Sequence, residues 1–184
     1  MGGKLSRTPR LTGSVAERRG VRTLRRAPPH DGVAQVRARL QQYAERGVFR
    51  GLAERPARRG RYEFTFRWLA PSPFTLRYDP RTGALAFRDL LPNVPARSSL
   101  AGALRRFVRG RASAGLPAHR RVDPERADVR CFVRQAAFSL EVVAREQHHG
   151  YGVNRAVNLV HEIFMHLHTY FPEYMWENFD APQE

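Results

Sequence analysis

Residues 61–91, "RYEFTFRWLAPSPFTLRYDPRTGALAFRDLL", contain three segments in which apolar and polar side chains alternate. In the first segment one phase is apolar and aromatic: Tyr62, Phe64, Phe66 and Trp68. A period of two is typical of a strand in a sheet with one buried face. "APSP" and "DPRTG" separate the three segments and supply the residues that turns prefer. The stretch therefore predicts a three-strand antiparallel meander.

The flanking sequence predicts three helices and two further strands. Apolar spacing indicates a helix from Val33 to about Gly47 with Asp31 as its N-cap, and a second helix capped by Ser98 or Ser99. "ADVRCFVRQ" and "AFSLEVVA" alternate as strands, with a turn at Gln135. The charged residues 54–61 are interpreted as a connector. The last helix is expected to start after "HHGYG" and to end at Pro172.

The predicted class is therefore α+β, in the order helix, three-strand meander, helix, two strands, helix. One five-stranded antiparallel sheet would have the helices on one face. Over residues 31–171 this order of elements resembles the fold shared by YbjN-type proteins and the class I type III secretion chaperones. The resemblance implies a small protein that works through protein contacts, often as a dimer, without catalysis. The secretion chaperones tend to be acidic, whereas this chain has a net charge of +15.

Charge is distributed unevenly along the chain. Residues 1–60 contain 15 basic and 4 acidic side chains, whereas residues 145–184 contain 2 arginines and 6 acids. Residues 1–30 are predicted to be a disordered basic arm, and residues 31–184 a single domain. Five arginines of the arm are candidates for binding phosphate backbones without sequence preference: Arg18, Arg19, Arg22, Arg25 and Arg26.

Location is predicted from what the sequence lacks. No run of 18 apolar residues is present, the basic N-terminus precedes no apolar segment, and Cys131 is the single cysteine. These features predict a cytoplasmic protein with no membrane partner. Because 31 of the 32 basic residues are arginine, a GC-rich bacterial source is expected. The start "MGGKLS" also matches a myristoylation pattern, which would instead require a eukaryotic source.

The outward phase of the predicted sheet is the main candidate binding site. Its members are five arginines and one aromatic residue: Arg67, Arg77, Arg88, Arg130, Phe132 and Arg134. Arginine and isolated aromatic residues are enriched at protein interfaces, so an acidic protein surface or a second copy of the chain is the expected partner. A nucleic acid is the alternative, although RNA-binding sheets place two or three aromatic residues on such a face. Another interpretation is a solvated face whose arginines pair with Glu63, Asp128 and Glu141.

The last helix contains a possible metal motif, His161, Glu162 and His166. Histidines four residues apart project toward one zinc ion, whereas His161 and His166 are five apart, so no metal and no cofactor are predicted. The competing interpretation is a core helix on which Glu162 and His166 form a surface pair. The expected function is thus a non-enzymatic protein-interaction or chaperone-like module. The alternatives are nonspecific RNA binding through the arm and the sheet face, and a metal-dependent hydrolase that uses the last helix.

Overall fold

The structure is a computed structural model that describes Gly2 and residues 29–180. It contains four α-helices: α1 (Pro29–Glu45), α2 (Ser99–Gly110), α3 (His149–Tyr170) and α4 (Pro172–Met175). Six strands are present: β1 (Arg50–Ala57), β2 (Arg61–Arg67), β3 (Phe74–Asp79), β4 (Ala84–Leu91), β5 (Ala127–Arg134) and β6 (Ala137–Ala144). A 3-10 turn spans Arg58–Gly60 and a π-helical turn spans Trp176–Asp180. The arginines predicted for the basic arm lie outside the described residues.

The six strands form one open antiparallel sheet in the order β1-β2-β3-β4-β6-β5. This confirms the α+β class and the meander of β2, β3 and β4. The prediction of five strands is wrong, because the segment interpreted as a connector contains the second half of β1. β1 lies at the edge of the sheet and is exposed over most of its length, so it has no alternating pattern. It also contains Pro56, which only an edge strand tolerates readily.

Helices α1, α2 and α3 cover one face of this sheet. Val36 and Leu40 of α1, Leu104 of α2, and Val160 and Leu167 of α3 are fully buried in the same core. Val157 and Phe164 of α3 are also buried, as the interpretation of the last helix as a core helix predicts. Among the helices of residues 29–180, none packs on the other face of the sheet. We call it the open face, and it is the face that the outward phase of the strands forms.

Local signals explain two of the element boundaries. The hydroxyl oxygen of Ser98 accepts a hydrogen bond from the backbone N–H of Ala101 at 3.1 Å, which confirms Ser98 as the N-cap of α2. Gln135 and Ala136 join β5 to β6, and both have positive φ angles, 48° and 56°. A turn with two positive φ angles matches the right-handed twist of the paired strands, so this turn fixes the hairpin.

Two helix starts differ from the prediction. α1 begins at Pro29, which is preset for the first turn of a helix, so Asp31 lies inside the helix and is not its N-cap. There its carboxylate accepts a hydrogen bond from Gln35 at 3.3 Å. α3 begins at His149 and includes the glycines of "HHGYG", which were expected to precede it. No helix within residues 29–180 is long and apolar enough to cross a membrane.

Candidate functional site

The strand register places charged residues of the open face in one row across the sheet. Glu63 of β2 stands between Arg55 of β1 and Arg77 of β3. At the other end of this row, Glu141 of β6 is the register partner of Arg130 of β5. Ala86 of β4 joins the two halves of the row, because it is the register partner of both Arg77 and Glu141. A small, uncharged residue therefore separates the two charged halves of the row.

Several arginines of the open face are held by carboxylates. Glu63 accepts from Arg77 at 2.9 Å and contacts Arg55 at 3.3 Å. Arg88 lies 3.6 Å from Glu141. Two more ion pairs are Arg61 with Asp79 at 3.0 Å and Arg145 with Asp128 at 2.9 Å. The interpretation of the open face as a solvated surface with ion pairs therefore describes Arg77 and Arg88 correctly.

Three of the predicted arginines are different. Arg67, Arg130 and Arg134 are exposed, and within residues 29–180 none of them forms an ion pair. Arg67 also faces Arg50 of β1 directly in the register, so two like charges are adjacent there. Like charges that oppose each other across a strand pair are destabilising unless an external anion compensates them.

The unpaired arginines lie at two opposite sides of the sheet. Arg130 and Arg134 are on β5, whereas Arg50 and Arg67 are on β1 and β2. Four strand spacings separate β2 from β5 in the sheet order, which is about 19 Å. The six predicted residues are therefore not one compact cluster. They belong to a broad surface with two cationic sides and an ion-paired centre.

Phe132 is the aromatic residue of the open face, and it is only partly exposed. The guanidinium carbon of Arg88 lies 4.7 Å from the centroid of its ring, a cation–π geometry. Arg88 therefore covers one side of the ring. A base could stack on Phe132 only if it displaced this guanidinium group.

Arg50 and Arg55 belong to the open face and were not among the predicted site residues. Both are on β1, which was not predicted as a strand, so their side chains could not be assigned to a face. The outward strand positions together contain eight arginines, and these are Arg50, Arg55, Arg61, Arg67, Arg77, Arg88, Arg130 and Arg134. They contain four carboxylates, and these are Glu63, Asp79, Asp128 and Glu141. Even with Asp89, exposed in the irregular part of β4, positive charge is in excess.

The residues of the possible metal motif on α3 have three different environments. Glu162 accepts a hydrogen bond from Arg111 at 2.5 Å and has Arg120 at 3.6 Å. The ring of His161 stacks near Trp68, with 6.4 Å between the ring centroids. Two guanidinium groups therefore contact the carboxylate of Glu162. Within residues 29–180, Glu162 and His166 do not form the surface pair that was the competing interpretation.

His166 lies on another side of α3. Its ring is 4.7 Å from those of Phe107 and Tyr170, and burial together with the nearby Arg111 lowers its pKa. In residues 29–180 no three side chains of His, Cys, Asp or Glu are placed to hold a metal ion.

Cys131 lies on the inner phase of β5 and is partly buried. Burial raises the pKa of its thiol, and the nearby Arg105 and Arg109 act in the opposite direction. A thiol with a raised pKa is a poor nucleophile at neutral pH.

No family model, curated protein or solved structure matches this chain. The fold and its surface therefore define only a broad class, an α+β protein with an open, arginine-rich sheet face.

Proposed function

We propose that the protein is a non-enzymatic interaction module that binds an acidic protein surface on the open face of its sheet. The observation that supports this proposal is the uncompensated charge of the face. Arg67, Arg130 and Arg134 are exposed and have no carboxylate partner among residues 29–180, while neighbouring arginines are ion-paired. Complementary carboxylates on a partner would pair with these side chains and steer its approach.

A protein partner fits the open face better than a nucleic acid does. Single-stranded nucleic acids are bound by aromatic platforms on which successive bases stack. Here Phe132 is covered on one side by Arg88, and the other outward positions near the centre, such as Thr75 and Ala86, are not aromatic. Acidic side chains of a partner need no such platform, because guanidinium groups bind carboxylates through paired hydrogen bonds.

The resemblance to YbjN-type proteins and class I secretion chaperones belongs to the same proposal. Its support is the order of elements from β2 to α3, together with a face of the sheet that no described helix covers. A chaperone-like or scaffolding role requires such a surface and no catalytic group, and we infer that the protein is not an enzyme.

A second copy of the chain is one possible source of the acidic surface. Glu173, Glu177 and Asp180 lie together at the end of the described chain beside Trp176, whose side chain is 58% exposed. This acidic corner is complementary in charge to the open face of another molecule. Contact between two different surfaces is a head-to-tail arrangement, in which association rises with protein concentration.

The proposal is tested by site-specific photocrosslinking in cells. A photoreactive phenylalanine replaces Arg134 on the open face or, as a control, Gln41, which is exposed on α1. We expect protein adducts from position 134 whose crosslinked segments are acidic. They should be lost when Arg67 and Arg130 are also changed to glutamate, and position 41 should not give them. Adducts to the chain itself at residues 173–180 would identify the partner as a second copy.

The competing function is measured with labelled single-stranded RNA at two salt concentrations. The full chain and a chain without residues 1–30 are compared, each with and without Arg130→Ala and Arg134→Ala. Tight binding with a steep salt dependence, weakened by the two substitutions, would replace our proposal with RNA binding. Weak RNA binding that is lost when residues 1–30 are deleted, but not when Arg130 and Arg134 are substituted, would be consistent with a protein partner on the open face.

A further inference from the structure

A second cationic site lies in the helical layer, away from the open face. A cleft of about 170 Å³ opens between α1 and α3, and we call it the α1–α3 cleft. Three arginines line it, Arg39 and Arg46 from α1 and Arg155 from α3. Of the described residues, none that lines the cleft is acidic. Three guanidinium groups that converge without a carboxylate repel one another unless an anion is bound.

The three arginines are not neutralised elsewhere in the described part of the chain. Arg39 donates a hydrogen bond to the amide oxygen of Gln42 at 2.9 Å, and Arg155 donates to the backbone carbonyl of His119 at 2.5 Å. These partners are uncharged. The Nε atom of Arg155 is buried and has no hydrogen-bond partner. A buried donor without a partner is costly.

Tyr43 lines the same cleft and is influenced by all three charges. Burial raises the pKa of its hydroxyl group, while Arg39, Arg155 and Arg46 each act to lower it. All three guanidinium groups are therefore close enough to one point to influence its ionisation. The same hydroxyl group donates a hydrogen bond to the side-chain oxygen of Asn154 at 3.2 Å. Tyr43 therefore contributes a polar group to the lining of the cleft.

The lining indicates which anion fits. Apart from the arginines and Tyr43, the cleft is lined by the amide side chains of Gln42, Asn154 and Asn158. Guanidinium and amide N–H groups together match the several oxygens of a phosphate group. Sites for drug-sized ligands are lined mainly by apolar side chains and have volumes of roughly 300–1,000 Å³. This cleft is smaller and polar, so it has room for a phosphate group but not for a large apolar ligand.

We propose that the α1–α3 cleft binds a phosphate-type oxyanion, either free or as the phosphate group of a small molecule. Arg39, Arg46 and Arg155 supply the charge, and Asn154 and Asn158 supply further hydrogen bonds. This site is independent of the proposed protein-binding face, because α1 and α3 pack on the opposite face of the sheet. If no anion binds in the α1–α3 cleft, the proposal that the open face binds a protein is not changed.

Calorimetric titration of the full chain tests the proposal. The probes are inorganic phosphate, pyrophosphate, and glycerol phosphate with glycerol as its control, all at an ionic strength held constant with sodium chloride. We expect saturable binding with one site. Arg39→Gln combined with Arg46→Gln should weaken it by about tenfold or more, because two charge-assisted contacts are lost. Arg97→Gln, in an exposed loop outside the cleft, is the control and should bind as the unchanged chain does.

The probes distinguish the two sources of the phosphate group. Tighter binding of glycerol phosphate than of inorganic phosphate would indicate a phosphorylated small molecule, and the reverse order a free anion. Side-chain NMR signals of Arg155 Nε–H and of the Asn154 and Asn158 amides should shift at the same ligand concentrations. Thermal unfolding without ligand shows whether each variant is folded.

Three outcomes would overturn the proposal: no saturable binding of any phosphate probe, equal weakening by Arg97→Gln, or shifts confined to residues outside the cleft. Binding of an oligonucleotide that depends on Arg39 and Arg46, with no binding of the small probes, would also overturn it. The cleft would then be a contact for a nucleic-acid backbone.

Discussion

The hydroxyl oxygen of Tyr78, at the centre of the sheet, lies 3.0 Å from Nδ1 of His149, in the first turn of α3. Burial is the main cause that raises the pKa of Tyr78, so its hydroxyl group stays protonated. It donates to Nδ1 when the imidazole is neutral with its proton on Nε2. This contact joins the first turn of α3 to β3 of the sheet.

Tyr78→Phe is expected to lower the free energy of unfolding by about 1–3 kcal/mol, because Nδ1 of the half-buried His149 loses its partner. The ring of Tyr78 and its packing are retained. Urea unfolding followed by circular dichroism measures the difference. Tyr62→Phe is the matched control, since Tyr62 is less buried and its hydroxyl group forms no hydrogen bond in the described part of the chain. Equal effects of the two substitutions would contradict the role of the contact.

Stability is expected to fall as the pH is lowered below about 6.5, the pKa of an unperturbed histidine. Burial lowers the pKa of His149 and of His166 in the folded protein. For His149, Asp31 opposes the shift and His148 adds to it. The unfolded chain therefore takes up protons first. As the pH falls, each histidine lowers the free energy of unfolding by at most about 1.4 kcal/mol per pH unit, until the pH reaches the pKa of that histidine in the folded protein.

Urea unfolding between pH 5 and pH 7.5 measures this slope. The range avoids Glu54, whose pKa is lowered by its hydrogen bond from Arg37 and whose contribution is lost only at more acidic pH. His149→Asn combined with His166→Gln removes both titrating groups and should flatten the profile. A profile that keeps its slope in this variant would contradict the assignment.

Gly152→Ala is expected to destabilise the fold by about 1–3 kcal/mol. An added Cβ would lie 2.8 Å from Cβ of Ala144 and 2.9 Å from Cδ1 of Leu85, so α3 would have to move away from the sheet. Gly102→Ala in α2 is the same chemical change in an open position, where the nearest atom is a terminal arginine nitrogen at 3.4 Å. It should be neutral or stabilise the helix by up to about 1 kcal/mol. Thermal unfolding of both variants checks the contrast.

Arg111→Gln is expected to lower the free energy of unfolding by about 3 kcal/mol. Its side chain is 12% exposed and that of its partner Glu162 is 17% exposed, so the substitution leaves a largely buried carboxylate. Arg120 lies 3.6 Å from the same carboxylate but is 48% exposed, and Arg120→Gln should cost less than about 1 kcal/mol. Chemical denaturation compares the two. A larger effect of Arg120→Gln would contradict the assignment of Arg111 as the main partner.

How well the sequence predicted the fold depended on how each element is buried. β2, β3 and β4 were predictable because one face of each is buried, which forces apolar residues into alternate positions. β1 was not, because an exposed edge strand stabilised by backbone pairing with β2 needs no such pattern. The start of α3 was missed because glycine has a low helix propensity, which the tight approach of Gly152 to Ala144 overrides.

For the candidate sites too, features that follow from local alternation were predictable, and features that depend on packing between distant segments were not. The phase of each strand correctly placed Arg77, Arg88 and Arg130 on the open face, since it follows from local alternation. Which arginines are neutralised depends on register across strands. Arg39 and Arg155 are 116 positions apart in the chain, and only the packing of α1 on α3 brings them to one cleft.

Replacement of the three unpaired arginines by glutamine is expected to leave the free energy of unfolding within about 0.5 kcal/mol of its original value. Arg67, Arg130 and Arg134 form no ion pair within residues 29–180, and removal of Arg67 also relieves its repulsion with Arg50.

Arg88→Gln is the contrast, because it loses both Glu141 and the ring of Phe132 and should cost up to about 2 kcal/mol. Urea unfolding of the triple and single variants measures this difference. If the triple variant keeps its stability, and Arg67→Gln with Arg130→Gln abolishes the crosslinks from a photoreactive residue at position 134, these arginines serve binding rather than folding. A loss of more than about 1 kcal/mol in the triple variant would instead show that these side chains stabilise the sheet itself, and the argument for a binding face would fail.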